Sequence, residues 1–218
     1  MYPCLSWTAS KKRKGLLEVQ DRLPLRSLRS RALNVWNLGA DGVYLFNFFF
    51  AHSSVWRELG DPGILGGLDR DYFPHGYWRV LLNPDIRGVE RFIELPVPPF
   101  PERPVRLAPE TPFVVEVLIG GTLSGGGPGS DYRPEITLSL GISGLTNADT
   151  LEVTLNEHDA QNGSVTPDWV SYAVALEWIR SGANMVRVTS RGESGQATVL
   201  RDVHIHIDYP EAGSESRR

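Results

Sequence analysis

The sequence holds a single cysteine, Cys4. One cysteine cannot close an internal disulfide, and it excludes a cysteine-rich zinc site. Long apolar runs are missing too. The longest, Gly42 to Ala51, is broken by Asn47 and is far short of the roughly 20 residues a spanning helix needs, so no membrane partner is expected. The opening MYPCLSWTASKKRKG carries its charges after a short apolar stretch, the reverse of a signal peptide's order. No export signal is therefore expected, and the sequence leaves localisation open. A strong net charge is also absent. The formal balance is -4, which makes no electrostatic case for nucleic acid. Positive charge is concentrated over residues 1–35, with a local excess of +6 against -10 for the remainder. The KKRK cluster lacks interleaved aromatics and reads as a solvated tail.

What is present is a turn-rich globular chain, 41% hydrophobic, with 22 glycines and 16 prolines in 218 residues. Leu25, Leu28, Ala32 and Trp36 recur at three- and four-residue steps and predict one buried face of a helix, with Arg26, Arg29 and Arg31 off that stripe. Gly39 supplies a stop. The following GVYLFNFFF is apolar on both alternating faces, as in a strand buried on both sides in a parallel sheet. A helix, a tight turn and such a strand make the second half of a βαβ unit.

RALNVWNLGADGVYLFNFF followed by WRELGDPGILGGLDRDYF resembles the last helix, last strand and closing helix of a bacterial glycoside-hydrolase-like (β/α)8 barrel. The resemblance covers about residues 22–75, and GADGVYLFNFF with LGDP is its most specific part. It implies that most of a barrel lies outside this chain. It also implies that Asn47, Phe49 and His52 sit at or past the strand's C-terminal end, where barrel enzymes build their sites. Asn47 would then hydrogen-bond a sugar hydroxyl and Phe49 would stack on a ring face. The plainer alternative is that the phenylalanines are packing residues and that His52 begins a helix.

Beyond residue 112 the period changes to two. Phe113, Val115 and Val117 alternate with Val114, Glu116 and Leu118. Similar alternation runs through Ile136–Ile142, Leu151–Leu155, Val186–Val188 and Val203–Tyr209. Turn signals every ~8–12 residues predict an antiparallel sandwich. WVSYAVALEWIRSGANMVRV is similar to the segment of galactose-binding-like jelly rolls in which a strand leads through a short turn and Gly-x-Asn into another strand. The expected fold class is therefore mainly β, a jelly-roll-like β-sandwich preceded by a partial α/β segment, the remnant of a TIM barrel. The expected divisions are a disordered basic N-terminus over 1–20, the barrel end over 21–78, the sandwich over 79–210 with a Pro-rich linker at 94–111, and a disordered tail over 211–218.

On the sandwich, Asp202, His204, His206 and Asp208 share one face of a strand by the period of two. Two histidines so placed could bind a metal, but the plainer reading is the wet face of an outer strand, and no metal site or cofactor is assigned. NEHDAQNGSVTPDW gathers Glu157, His158, Asp159, Asn162, Asp168 and Trp169 near one end, and polar groups with one aromatic suit sugar recognition. Asp168 and Trp169 join Asn47, Phe49 and His52 as candidate substrate-binding residues. Glycosidases need two carboxylates about the scissile bond, and the apolar strand offers none. Glu58, Asp61, Asp69 and Asp71 read as surface or capping residues. No catalytic residue is assigned, and whether the chain belongs to an enzyme stays open. The expectation is a C-terminal fragment of a carbohydrate-active protein, not catalytic by itself. The alternative is a non-catalytic glycan- or protein-binding sandwich module. Carbohydrate is the expected partner, with self-association through the uncovered barrel segment.

Overall fold

The computed structural model describes residues 4–6, 8–13, 16–22, 25–46, 48, 53–74, 104–121, 123, 133–143, 145, 147–191 and 198–209. Strands β1 (Cys4–Ser6), β2 (Thr8–Arg13) and β3 (Leu16–Arg22) precede helix α1 (Leu25–Asn37). Then come β4 (Tyr44–Phe46), α2 (Val55–Leu59), α3 (Pro62–Gly66), β5 (Arg70–Tyr72) and β6 (Val105–Arg106). The remainder is β-rich: β7 (Phe113–Ile119), β8 (Glu135–Ser143), β9 (Leu151–Leu155), β10 (His158–Ala160), β11 (Ser164–Val165), β12 (Trp169–Val174), β13 (Gly182–Ser190) and β14 (Val199–Asp208). The chain is mainly β.

Two antiparallel sheets enclose one core. The four-stranded sheet has the order β10-β9-β13-β7, and the six-stranded sheet runs β11-β12-β8-β14-β5 with β6 also on β14. The alternation seen in the sequence decides which faces meet. Val115, Val117, Ile119, Val153, Leu155, Val186 and Val188 come from one sheet. Leu138, Leu140, Val170, Tyr172, Val203, Ile205 and Ile207 come from the other, all within the same cluster. Each such side chain contributes on the order of 1.5–3 kcal/mol by leaving water. Asn156 and Glu157 join β9 to β10 in a two-residue turn with φ of 50° and 74°, the positive pair a right-twisted hairpin requires. Asn156 donates to the carbonyl of Trp178 and to Asn184 Oδ1. Asn184, fully buried in the Gly-x-Asn segment, in turn donates to the carbonyls of Arg180 and Gly182. A buried amide with every group paired is a framework residue, and that explains the pattern without a ligand.

The helical unit has its own smaller core. Leu28, Ala32 and Leu33 of α1 pack with Leu5, Leu45, Phe48, Val55, Leu59 and Leu65. Trp36 is half-buried, and its indole N–H donates to the carbonyl of Leu59. The expected stripe is therefore the buried one, and Gly39 ends the helix with φ of 83°. β4 pairs in parallel with β1, in the register Tyr44↔Cys4 to Phe46↔Ser6. Leu45 is buried, but Tyr44 is 56% exposed, so β4 is not buried on both faces. Residues 47 and 49–52 of the apolar run lie outside the described residues.

Several elements differ from the sequence reading. The basic segment over 1–20 carries β1 and most of a β2–β3 hairpin, whose register sets Lys11 opposite Glu18. Charge density alone says nothing about backbone pairing. The closing helix is two short helices, α2 and α3. Asp61 caps α3 by accepting from the N–H groups of Gly63 and Ile64. RDY then forms β5, which pairs with β14 across Ile205↔Tyr72 and Ile207↔Arg70. The six-stranded sheet thus begins before residue 79. The end of the Pro-rich stretch belongs to the sheet as well, since β6 pairs with Val199 and Leu200, and Leu107 lies in the core.

α1 and the sheets meet in a close joint. Ser30 Oγ donates to the carbonyl of Asp71. Asn34 donates through Nδ2 to the carbonyl of Leu118 and accepts through Oδ1 from the N–H of Gly120. Gly120 is glycine for a steric reason: a Cβ there would stand 2.5 Å from both the Leu33 carbonyl oxygen and Asn34 Cα. Arg70 is fully buried at the same joint, donating to the carbonyl of Gly66 and to the Tyr209 hydroxyl. Tyr72 fills the core beside it, and burial pushes its phenol up to about 12.

Candidate functional site on the outer face of the six-stranded sheet

With Val203, Ile205 and Ile207 in the core, β14 turns Asp202, His204, His206 and Asp208 to the opposite face. That strand is not an outer one. β8 lies on one side and β5 on the other, because the short strand preceding the Pro-rich stretch occupies the edge expected to be free. Register brings one transverse row together: Trp169 of β12 opposite Gly141 of β8, opposite Asp202 of β14. The next row is Ser171, Ser139 and His204, with the two hydroxyls 3.0 Å apart. His206 lies between Thr137 and Asp71.

Gly141 leaves the floor low beside Trp169. A Cβ there would lie 3.5 Å from the indole Cη2 and 3.1 Å from Asp202 Cβ. The half-buried Trp169 ring stands 4.9 Å from the His204 ring, and Phe73 meets that imidazole edge-on at 4.3 Å. His204 Nε2 faces Asp202 Oδ2 at 3.0 Å, off the hydrogen-bond line. His206 contacts Asp71 Oδ1 through Nδ1 at 2.9 Å, and its ring lies 5.5 Å from that of His204. Arg26 of α1 closes this end. Its Nε lies 2.9 Å from the same Asp71 oxygen, and its Nη2 lies 2.6 Å from Asp208 Oδ1.

Burial pushes the Asp71 carboxyl up, but the His206 hydrogen bond and the Arg26 charge outweigh it, so the group sits below the usual carboxylate range. A depressed folded-state pKa adds stability that is full above the unfolded value, near 3.9, and is lost as pH falls through the folded value. Asp71→Asn is therefore expected to cost about 1.5–3 kcal/mol at neutral pH. The gap to the wild type should close as pH falls below about 4. Urea denaturation across that range measures it, and a gap constant with pH would contradict the assignment.

Of the candidate residues, Asn47, Phe49 and His52 lie outside the described residues. Asp168 is exposed, and its carbonyl accepts from the N–H of Ile142. Trp169 stands on the outer face described above. The loop that brought these two together with Glu157, His158 and Asp159 divides between the sheets. His158 and Asp159 belong to β10 of the four-stranded sheet, where His158 stacks on Trp178 at 5.1 Å. Glu58 pairs with Arg29, and Asp69 accepts from the N–H of Tyr209. Asp71, expected to be a surface or capping group, instead belongs to the site. Phe73 and Arg26 also belong to it; neither carries a local sequence signal, because each is brought in by β5 or α1 from far along the chain. Among the described residues no group of three or more His, Cys, Asp or Glu is arranged to hold a metal ion. No helix among them is long and apolar enough to cross a membrane.

No family model matches the chain, and no curated protein matches it. Among solved structures the chain is similar to BuGH86 in complex with neoagarooctaose, at 9% identity and a TM-score of 0.41, over 64% of this chain and 18% of that one. It is also similar to BpGH86A, a beta-porphyranase of glycoside hydrolase family 86 from the human gut bacterium Bacteroides plebeius, at 11% identity and 0.34, over 65% and 21%. The chain spans about a fifth of the length of these structures. Likeness this slight carries no argument about its fold or activity.

Proposed function

We propose that the chain is the C-terminal part of a carbohydrate-active, glycoside-hydrolase-like protein, and that its β-rich portion is a jelly-roll-like sandwich that recognises glycan without cleaving it. The observation that carries this reading is the setting of Trp169. A half-buried indole over a glycine floor, beside hydroxyls, imidazoles and carboxylates, suits a sugar, which has an apolar C–H face and a hydroxyl rim. Support for a barrel end over 21–78 comes from the resemblance of GADGVYLFNFF with LGDP and from a parallel strand pair that includes β4 just after α1. Support for a non-catalytic role comes from the carboxylates of the face. Asp71 and Asp208 are tied to Arg26, and Asp202 faces His204, so none stands as a free acid or base. Among the described residues, Leu38, Tyr44, Trp56 and Ile64 are the exposed large apolar side chains of the helical unit, and self-association is proposed there.

The full chain is to be screened on an array of plant and algal oligosaccharides, with hits titrated by tryptophan fluorescence. Trp169→Ala is expected to weaken binding about tenfold, the size of one aromatic contact. Binding of no glycan, or undiminished binding by the variant, would overturn the reading and leave a protein-binding module as the alternative.

A further inference from the structure

We propose that His204 and His206 together bind a divalent transition-metal ion on the outer face of the six-stranded sheet. The two imidazoles project from alternate residues of β14, with centroids 5.5 Å apart and planes at 75°. An ion held ~2.0–2.1 Å from an imidazole nitrogen sits about 3 Å from the ring centre, so two rings sharing one ion stand about 4.5–6 Å apart. The observed separation lies within that span.

The second argument is where the protons sit. A carboxylate only accepts hydrogen bonds, so the ring nitrogen facing it carries the hydrogen. His206 meets Asp71 through Nδ1 in a hydrogen bond, and although His204 Nε2 lies off the hydrogen-bond line of Asp202, the carboxylate charge 3.0 Å away favours the hydrogen on that nitrogen too. That leaves His206 Nε2 and His204 Nδ1 as lone-pair donors. A carboxylate behind the imidazole is the arrangement that fixes the tautomer and aim of a metal-ligating histidine. Asp71 also takes Arg26, which leaves it an orienting group rather than a ligand. Three carboxylates, Asp71, Asp202 and Asp208, against one guanidinium leave this part of the face attractive to a cation. Imidazoles suit Cu²⁺, Ni²⁺ and Zn²⁺, with Cu²⁺ bound most tightly. With two protein ligands, the remaining positions go to water, so the ion is exchangeable. This proposal does not depend on the glycan reading, and it departs from the sequence expectation of no metal.

The test titrates CuCl₂ and NiCl₂ into the full chain by calorimetry and tryptophan fluorescence. The expected result is one ion of each kind per chain, with Cu²⁺ quenching Trp169. His204→Gln with His206→Gln should abolish that binding, and circular dichroism reports whether the double variant is folded. Asp71→Asn keeps both ligands and should weaken affinity about 10–100-fold. Trp169→Phe should retain the binding heat and lose its share of the quenching. His158→Gln, on the other sheet, should change nothing. The proposal fails if no ion binds, if binding survives the double variant, if it is lost with His158→Gln, or if Trp169→Phe leaves the quenching intact.

Discussion

Gly120→Ala is expected to destabilise the protein by about 3–5 kcal/mol, a large share of a typical stability of ~5–15 kcal/mol. The new methyl group would stand 2.5 Å from backbone atoms of α1, where no side-chain rotation relieves it. The helix would have to withdraw. The Asn34 amide would then lose both its partners, and the joint would open beside Tyr72, whose hydroxyl reaches the Gly120 carbonyl. A buried donor or acceptor left unpaired costs about 1–3 kcal/mol. Gly66→Ala is the control. It lies in α3 with nothing within 4 Å of the added carbon, and it should be neutral or slightly stabilising. Equal denaturation midpoints for the two variants would show that the approach of α1 to β7 is not a tight contact.

A chain beginning at residue 94 is expected to aggregate or fail to fold, whereas the full chain stays soluble. Composition alone suggests the opposite, since the alternating runs all lie beyond residue 112. The structure shows what the shorter chain would lack. β5 would leave the edge of β14, uncovering Ile205 to Ile207 along the pairing edge. Tyr72, among the largest fully buried side chains, would leave the core, and Asn34 would leave β7. Truncation of one aromatic core residue costs about 3–5 kcal/mol, and here it is combined with the loss of a strand. Size-exclusion chromatography with light scattering on both chains decides it. A monomeric, cooperatively folding 94–210 chain would show that the helical unit is dispensable.

The core-facing side of β7, β8, β9, β13 and β14 was legible because alternation is a local property. Ile136, Leu138, Leu140 and Ile142 need only their own spacing to declare a buried face, as do the apolar residues of β14. Strand order was not legible, because it depends on residues far apart. Asp71 meets His206 across 135 positions, and Arg26 meets Asp208 across 182. A three-residue strand such as β5 is too short to show a period. For the same reason the shared face of Asp202, His204, His206 and Asp208 could be read from β14 alone. Its neighbours Trp169, Phe73 and Arg26 had to come from the fold. The loop ending in Trp169 shows the converse error, since nearness in sequence placed His158 beside Trp169, while the hairpin turn at Asn156 and Glu157 sends it to the other sheet.

Among the described residues β7 is the outermost strand of its sheet, and an outermost strand exposes a row of backbone donors and acceptors to any extended chain that drifts alongside. The side-chain amide of Asn34 has the same donor and acceptor as a peptide group, and it occupies the carbonyl of Leu118 and the N–H of Gly120. α1 thereby ends the sheet the way a further strand would continue it, with a partner that offers no second edge. Addition of a further strand is obstructed where that amide sits, at the Leu118–Gly120 end of β7, and the obstruction lasts only as long as the helix stays seated.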